Sequence, residues 1–95
     1  MIKKDYSELF EEILKLENLD ECNKFFDDLC TITELDAMLQ RIKAAKMLLD
    51  EKTFQEVSKE TKISSATLAR VSKCIKYGDG GYKNILNKKK RIGDE

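Results

Sequence analysis

The sequence predicts an all-α protein, and three observations lead to that prediction. The chain has 95 residues with no proline and only four glycines, so little in it interrupts a helix. Apolar residues recur at the three- and four-residue spacing of a helix rather than in the alternation of a strand. Valine, a residue that favours strands, occurs only at positions 57 and 71. At this length we expect one domain over residues 1–95, with a thin core that a second chain would help to complete.

Two short helices are predicted at the start of the chain. Apolar side chains at helical spacing indicate a first helix between about residues 5 and 17. The segment Asn18-Leu19-Asp20 then interrupts the pattern, and Asp20 is the expected N-cap of a second helix. The apolar face of that second helix comprises Cys22, Phe25, Phe26 and Leu29.

The longest periodic stretch predicts a third helix that organises the core. Thr33 and Asp36 have the spacing of a capping box, so we expect the helix to begin at Thr33. The apolar residues of the helix then follow one face over roughly 17 residues, or about 25 Å. They are Leu35, Met38, Leu39, Ile42, Ala45, Leu48 and Leu49.

Residues 53–78 carry the most informative pattern, that of a helix–turn–helix. Thr53 and Ser64 are the expected caps of its two helices, and Gly78 stands where a helix often ends in a left-handed residue. The apolar spacing fits two helices packed across a corner. It is set by Val57, Ile63, Leu68 and Val71. Lys62 departs from the pattern, because the turn often has glycine there. A left-handed lysine costs roughly 1 kcal/mol, and another turn conformation is the alternative.

Charge is divided unevenly along the chain. The totals of 18 basic and 18 acidic residues cancel, yet residues 1–36 hold 4 basic and 11 acidic side chains. Residues 62–92 hold nine basic side chains and one acidic side chain, Asp79. This basic segment could face a polyanion such as nucleic acid. The alternative is a charge dipole that serves only solubility or self-association.

The second helix of the motif has the surface expected of a recognition helix. Its first turns carry short side chains, which would let its N-terminus lie deep in a major groove. These are Ser64, Ser65, Ala66, Thr67 and Ala69. Arg70, Lys73 and Lys76 follow as a basic stripe. Arginine can bind guanine through two hydrogen bonds, whereas lysine contacts phosphate as a point charge. The alternative is an ordinary solvated face.

Composition argues against several other functions. The chain has no histidine, its three cysteines form no CxxC pair, and it has no glycine-rich phosphate loop. We therefore expect no enzyme, no metal site and no cofactor. No apolar run approaches the ~20 residues of a membrane span. A soluble cytoplasmic protein without membrane contact is expected.

Two strings of the sequence resemble the Trp-repressor superfamily, and more closely its YerC/YecD-like branch. They are ITELDAMLQRIKAAKMLLDEKTFQEVSKET and SSATLARVSKCIKYGDGGY. The resemblance implies an intertwined homodimer. Residues 5–50 would form its dimerisation helices, 53–78 its helix–turn–helix, and 79–95 a short closing helix and a basic tail. Its two recognition helices would meet successive major grooves about 34–36 Å apart.

The resemblance also implies roles for individual residues. Arg41 and Arg70 match two arginines that flank a tryptophan corepressor in the family. Val71 replaces the family's glycine beside the indole, and Cys74 replaces a small hydroxyl residue, so a tryptophan corepressor is not expected. Binding of another small effector at this site is one alternative. The other is that Arg41 is a surface or salt-bridging arginine of the core helix. Expected base contacts are Gln55, Ser65, Ala66, Thr67 and Ala69, and expected phosphate contacts are Lys62, Lys73 and Lys76. Ser64 and Arg70 complete the ten predicted DNA-binding residues.

The predicted function is that of a sequence-specific transcriptional regulator, with repression favoured, which binds double-stranded DNA as a homodimer. The alternative is a protein-interaction module that retains the helix–turn–helix but has lost operator recognition. The short side chains at positions 65–69 motivate that alternative. The basic run at 88–91 is either an arm for the DNA backbone or a solvated tail.

Overall fold

The computed structural model describes residues 3–88, and that part of the chain forms six helices. They are α1 (Ser7–Ile13), α2 (Leu19–Leu29), α3 (Ile32–Leu49), α4 (Phe54–Thr61), α5 (Ser65–Tyr77) and α6 (Gly81–Leu86). No strand occurs within these residues, so the all-α prediction is confirmed. Most of the basic run at 88–91 lies outside the described residues. None of the six helices is both long enough and apolar enough to cross a bilayer.

The start of α2 lies earlier than the sequence predicted. The Asn18 side chain accepts a hydrogen bond from the backbone N–H of Glu21 at 2.9 Å and is the N-cap. The prediction of Asp20 as the cap is therefore wrong, since Asp20 lies inside the helix. Its carboxylate instead pairs with Lys24 at 3.0 Å.

The capping box of α3 is formed by Thr31 and Glu34 rather than by Thr33 and Asp36. Thr31 Oγ1 accepts from the Glu34 N–H at 3.1 Å, and Glu34 Oε1 accepts from the Thr31 N–H at 2.8 Å. The predicted start was too late, because a glutamate can reach back three residues to the N-cap N–H. The earlier threonine is the one with a glutamate at that spacing.

The core lies between the C-terminal half of α3 and the two helices of the motif. Its fully buried apolar residues are Ala44, Ala45, Val57, Leu68 and Val71. Met47, Leu48 and Ile63 pack against them while partly exposed. The predicted role of α3 as core organiser therefore holds for its second half only. Before Ala44 the apolar residues Met38, Leu39 and Ile42 are exposed.

The first two helices stand apart from this core. α1 is shorter than the predicted segment of residues 5–17, and neither α1 nor α2 has a buried residue. Extensive packing occurs among α3, α4, α5 and α6, and not between them and α1 or α2. The apolar side chains of this region are consequently left open to solvent. They include Leu9, Phe10, Leu14, Leu19, Leu29 and Ile32.

The turn after α5 needs glycine at two positions for different reasons. Gly78 is extended, with φ −83° and ψ −168°, so the prediction of a left-handed residue there is wrong. A Cβ at Gly78 would collide with the carbonyl oxygen of Cys74, which explains glycine at this position. Gly80 is the left-handed residue, with φ +86°, and it precedes the short closing helix α6.

Candidate nucleic-acid interface

The helix–turn–helix consists of α4, a turn at residues 62–64, and α5. Thr53 caps α4 in a capping box with Glu56, through bonds of 3.0 and 3.2 Å. The pKa of the Glu56 carboxyl is lowered, chiefly by the backbone N–H of Thr53, then by the Thr53 side chain, and more weakly by the Lys52 charge. Ser64 caps α5. Both predicted caps of the motif are confirmed.

The turn holds Lys62 in the left-handed conformation, with φ 59° and ψ 19°. Of the two alternatives left by the sequence, the strained lysine is the one observed. The buried Thr61 fastens this corner, because its hydroxyl donates to the Val57 carbonyl at 2.8 Å. The Thr61 hydroxyl oxygen in turn accepts a hydrogen bond from the Ile63 N–H at 3.5 Å. The turn therefore fixes the angle between α4 and α5 at the cost of backbone strain at one lysine.

The inner face of α5 is packed and its outer face is free. Leu68, Val71 and Ser72 are buried. Because successive helical residues are about 100° apart, Arg70 and Lys73 lie on the side opposite to Leu68. Nine of the ten predicted DNA contacts are exposed, and the tenth, Thr67, is half-buried. The exposed ones are Gln55, Lys62, Ser64, Ser65, Ala66, Ala69, Arg70, Lys73 and Lys76.

The start of α5 presents backbone donors outward. Ser64 Oγ accepts from the Thr67 N–H at 3.1 Å and donates to Thr67 Oγ1 at 2.9 Å, so the Ser64 hydroxyl is committed to the cap. The first N–H groups of a helix have no partner within it. Those of Ser65 and Ala66 therefore remain available at the positive end of the helix dipole.

The basic side chains of this surface have no acidic partner within residues 3–88. The ion pairs of that part of the chain are Glu12–Lys15 and Asp20–Lys24, both in the first two helices or directly after them. The first turn of α5 carries no acidic residue. We call the exposed cations Arg70, Lys73 and Lys76 the basic stripe. Its charges are uncompensated by the fold, and such charges favour binding of an anion.

Tyr77 is a residue of this surface that the sequence analysis missed. It is 80% exposed at the end of α5. It follows Lys73 by four residues and Arg70 by seven, so it shares their face of the helix. The same spacing is present in the sequence, but Tyr77 is neutral and so is absent from a pattern defined by charge.

Comparison with known proteins agrees with this geometry. The chain matches the family described as Trp repressor protein over residues 4–90. The chain belongs to the Trp repressor family. It is 41% identical over 92 residues to the uncharacterized protein YerC of Bacillus subtilis (strain 168), which is 97% of this chain and 88% of YerC. The family resemblance carried by the two sequence strings is thereby confirmed.

Two solved structures show the same fold. A crystal structure of a candidate Trp repressor from Staphylococcus aureus has a TM-score of 0.81 and 42% identity, covering 85% of this chain and 81% of that one. A TrpR-like protein from Eubacterium eligens ATCC 27750 has a TM-score of 0.80 and 40% identity, covering 84% of this chain and 82% of that one.

In this member of the Trp repressor family, the two arginines that match the corepressor site are both exposed. Val71, at the family's glycine position, is only 2% exposed, so its side chain is packed into the protein. Cys74 is half-buried. Neither Arg41 nor Arg70 lines the cavity of about 250 Å³ that opens between α3, α4 and α5. Within residues 3–88, no group of three or more Cys, Asp and Glu side chains is arranged to hold a metal ion.

Proposed function

We propose that the protein is a sequence-specific transcriptional regulator, which binds double-stranded DNA in the cytoplasm as a homodimer and represses by occupying an operator. The observation that carries this proposal is the basic stripe. It lies on the free face of a helix whose opposite face is buried in a helix–turn–helix. Membership of the Trp repressor family supports a DNA-binding regulator.

The dimer is supported by the apolar surface that one chain leaves uncovered. Leu14, Leu19 and Ile32 are 81%, 77% and 78% exposed. Large apolar surfaces that a single chain leaves exposed are commonly protein interfaces. A second copy would offer the same surface in return, as a twofold interface requires. Residues 5–50 would then be the dimerisation helices.

Each group of contact residues has a separate task in the proposed complex. The free N–H groups at the start of α5, together with Lys62, Lys73 and Lys76, would bind phosphates and fix the register. Arg70 would donate two hydrogen bonds to a guanine. The neutral side chains would contact base edges. These are Gln55, Ser65, Ala66, Thr67 and Ala69.

The proposal is tested by competition between genomic fragments for the protein. We expect some fragments to bind far more tightly than bulk DNA. With about six phosphates neutralised per dimer, log K should fall against log salt with a slope near −5. An affinity independent of salt contradicts the proposal. If no fragment outcompetes bulk DNA, the protein-interaction module replaces the regulator.

A double variant, Arg70→Ala with Lys73→Ala, tests the stripe itself. We expect weaker DNA binding and a shallower salt slope, with helicity and dimer mass unchanged, because both side chains are exposed. Lys24→Ala removes a cation that pairs with Asp20 in α2 and serves as the matched control. Loss of helicity in the double variant would show that these side chains are structural.

A further inference from the structure

A cavity separate from the proposed DNA surface and from the corepressor arginines opens between the end of α3, the start of α4 and the second half of α5. Its volume is about 250 Å³. It is lined by Leu48, Lys52, Thr53, Phe54, Ser72, Ile75 and Lys76. We call it the α4 cleft. An apolar wall with a few convergent polar groups is the usual composition of a small-molecule site.

Ser72 is the first group that points to a ligand. It is only 8% exposed and lines the cleft. Its hydroxyl takes part in none of the side-chain hydrogen bonds formed among residues 3–88, whereas the other buried hydroxyl, that of Thr61, bonds to Val57. No side-chain polar atom of residues 3–88 is both sealed from solvent and without a partner, so the Ser72 hydroxyl faces the water of the cleft. It is therefore free to donate to an acceptor atom of a ligand there.

Charge is the second indication. Lys52 and Lys76 both line the cleft, and no carboxylate forms an ion pair with either of them within residues 3–88. At the start of α4 the N–H groups of Phe54 and Gln55 have no partner within the helix, whereas that of Glu56 bonds to Thr53 Oγ1. The Lys52 charge lowers the pKa of Glu56, which lies outside the lining of the cleft. The lining itself holds two positive charges and no carboxylate, so it favours an anionic ligand.

We propose that the α4 cleft binds a small organic monocarboxylate. Its carboxylate lies between the ammonium groups of Lys52 and Lys76 and accepts from the Ser72 hydroxyl. Its apolar body lies against Leu48, Phe54 and Ile75. Clefts for drug-sized ligands span roughly 300–1,000 Å³, so a ligand for this smaller cavity has one ring or a short chain.

Binding in the cleft would regulate DNA binding through Lys76. This side chain is also a proposed phosphate contact, so a carboxylate that pairs with it removes one cation per subunit from the DNA surface. The ligand therefore lowers DNA affinity and reduces the steepness of the salt slope by about 2 per dimer. By reciprocity, DNA lowers ligand affinity equally. This coupling rests on the proposed function, whereas binding in the cleft does not.

The binding test uses benzoate as the probe and benzamide as its uncharged match, with the full chain followed by ¹H–¹⁵N NMR and without DNA. We expect saturable shifts from benzoate at the amides of Thr53, Ser72 and Ile75, and much weaker binding of benzamide. Lys52→Gln and Lys76→Gln should each weaken benzoate binding about threefold to fivefold, as expected for loss of a partly exposed ion pair. Lys59→Gln, an exposed lysine elsewhere on α4, is the matched control.

Equal binding of benzoate and benzamide, shifts away from the cleft, or insensitivity to Lys52→Gln and Lys76→Gln would each overturn the proposal. The coupling is measured on the preferred genomic fragment. Saturating benzoate should weaken DNA binding by the wild-type protein and not by Lys76→Gln. If no DNA binds at all, the proposed function fails while the NMR result still decides the cleft.

Discussion

The N-terminal region, residues 3–43, and the C-terminal region, residues 44–88, treat their apolar side chains in opposite ways. Every buried residue belongs to the C-terminal region, where α4, α5 and α6 pack on the end of α3. In the N-terminal region α2 and α3 begin at side-chain caps, yet no residue before Ala44 is buried. The difference shows that local hydrogen bonding is enough to set where a helix begins, while burial of its apolar face needs a neighbour. In the N-terminal region the chain itself does not provide that neighbour.

Charge separates the same two regions. Residues 1–36 carry 11 acidic and 4 basic side chains, and two of those acids pair with lysines a turn away. The basic stripe of α5 has no such partner among residues 3–88. An apolar surface with acidic surroundings suits a protein partner, and an unpaired cationic helix suits a polyanion. The two regions thus differ in the kind of partner that their surfaces would suit.

The largest effect on stability is expected from shortening a buried side chain of the C-terminal core. Leu68 is 2% exposed and contacts the cluster of Ala44 and Val57. Leu68→Ala should lower the free energy of unfolding by roughly 2–5 kcal/mol, because it removes buried methyl groups and leaves a cavity. Chemical denaturation measures this loss. Ile85→Ala, at an exposed site of the same region, should have little effect, and a similar loss there would contradict the assignment of the core.

The next effect tests whether a second copy covers the N-terminal region. In a lone chain Leu39 and Ile42 are exposed, so Leu39→Ala with Ile42→Ala would cost little. In the proposed dimer the same change removes apolar area from the interface and should weaken association at least tenfold, or roughly 1.4 kcal/mol. Sedimentation equilibrium measures the change. A wild-type mass of 11.0 kDa in solution would end the dimer proposal.

A smaller effect, and a gain, is expected in the turn of the motif. Lys62→Gly should raise the free energy of unfolding by up to about 1 kcal/mol, since glycine adopts the left-handed conformation without strain. DNA affinity should fall at the same time, because a phosphate contact is lost. Lys62→Ala separates the two effects, as it removes the charge and keeps the strain. Equal stability of the glycine and alanine variants would show that the turn stores no strain.

Features fixed by hydrogen bonds within a few residues could be predicted from the sequence. The caps at Thr53 and Ser64 follow from side chains acting three residues away. At α2 and α3 two polar candidates lie two residues apart, and the earlier one of each pair, Asn18 and Thr31, is the cap. Each of these two is followed three residues later by a glutamate, a sequence signal that would have identified the cap.

Burial was harder to predict because it depends on distant parts of the chain. Periodicity correctly predicted that α3 has an apolar face. It did not indicate which part of that face is buried by the rest of the same chain. Met38 is therefore exposed although it lies in the predicted core, while Ala44, which lies off the predicted stripe, is completely buried. Ser72 gave no sequence indication of burial, and the α4 cleft that it lines brings together three helices. The candidate DNA surface was easier to predict from the sequence, because most of its residues lie on the single helix α5.

The smallest effect compares two capping boxes of the same design, one at the start of α3 and one at the start of α4. The pKa values of Glu34 and Glu56 are both lowered from 4.5, chiefly by hydrogen bonds from the backbone N–H of Thr31 and of Thr53. The ionised forms of these two glutamates therefore stabilise the folded state fully above pH 4.5. This contribution is lost as the pH falls through the lowered pKa of the folded state. Glu34→Gln and Glu56→Gln should each flatten the loss of thermal stability below that pH.

Salt separates the two boxes. The pKa of Glu56 is lowered in addition by the charge of Lys52, whereas only the bonds to Thr31 lower that of Glu34. At about 1 M salt the Debye length is roughly 3 Å, so the contribution of Lys52 should be screened. Carboxyl ¹³C titration should then show the pKa of Glu56 rising with salt more than that of Glu34. Equal shifts would mean that Lys52 exerts no field at the start of α4, which would also remove a charge on which the α4 cleft depends.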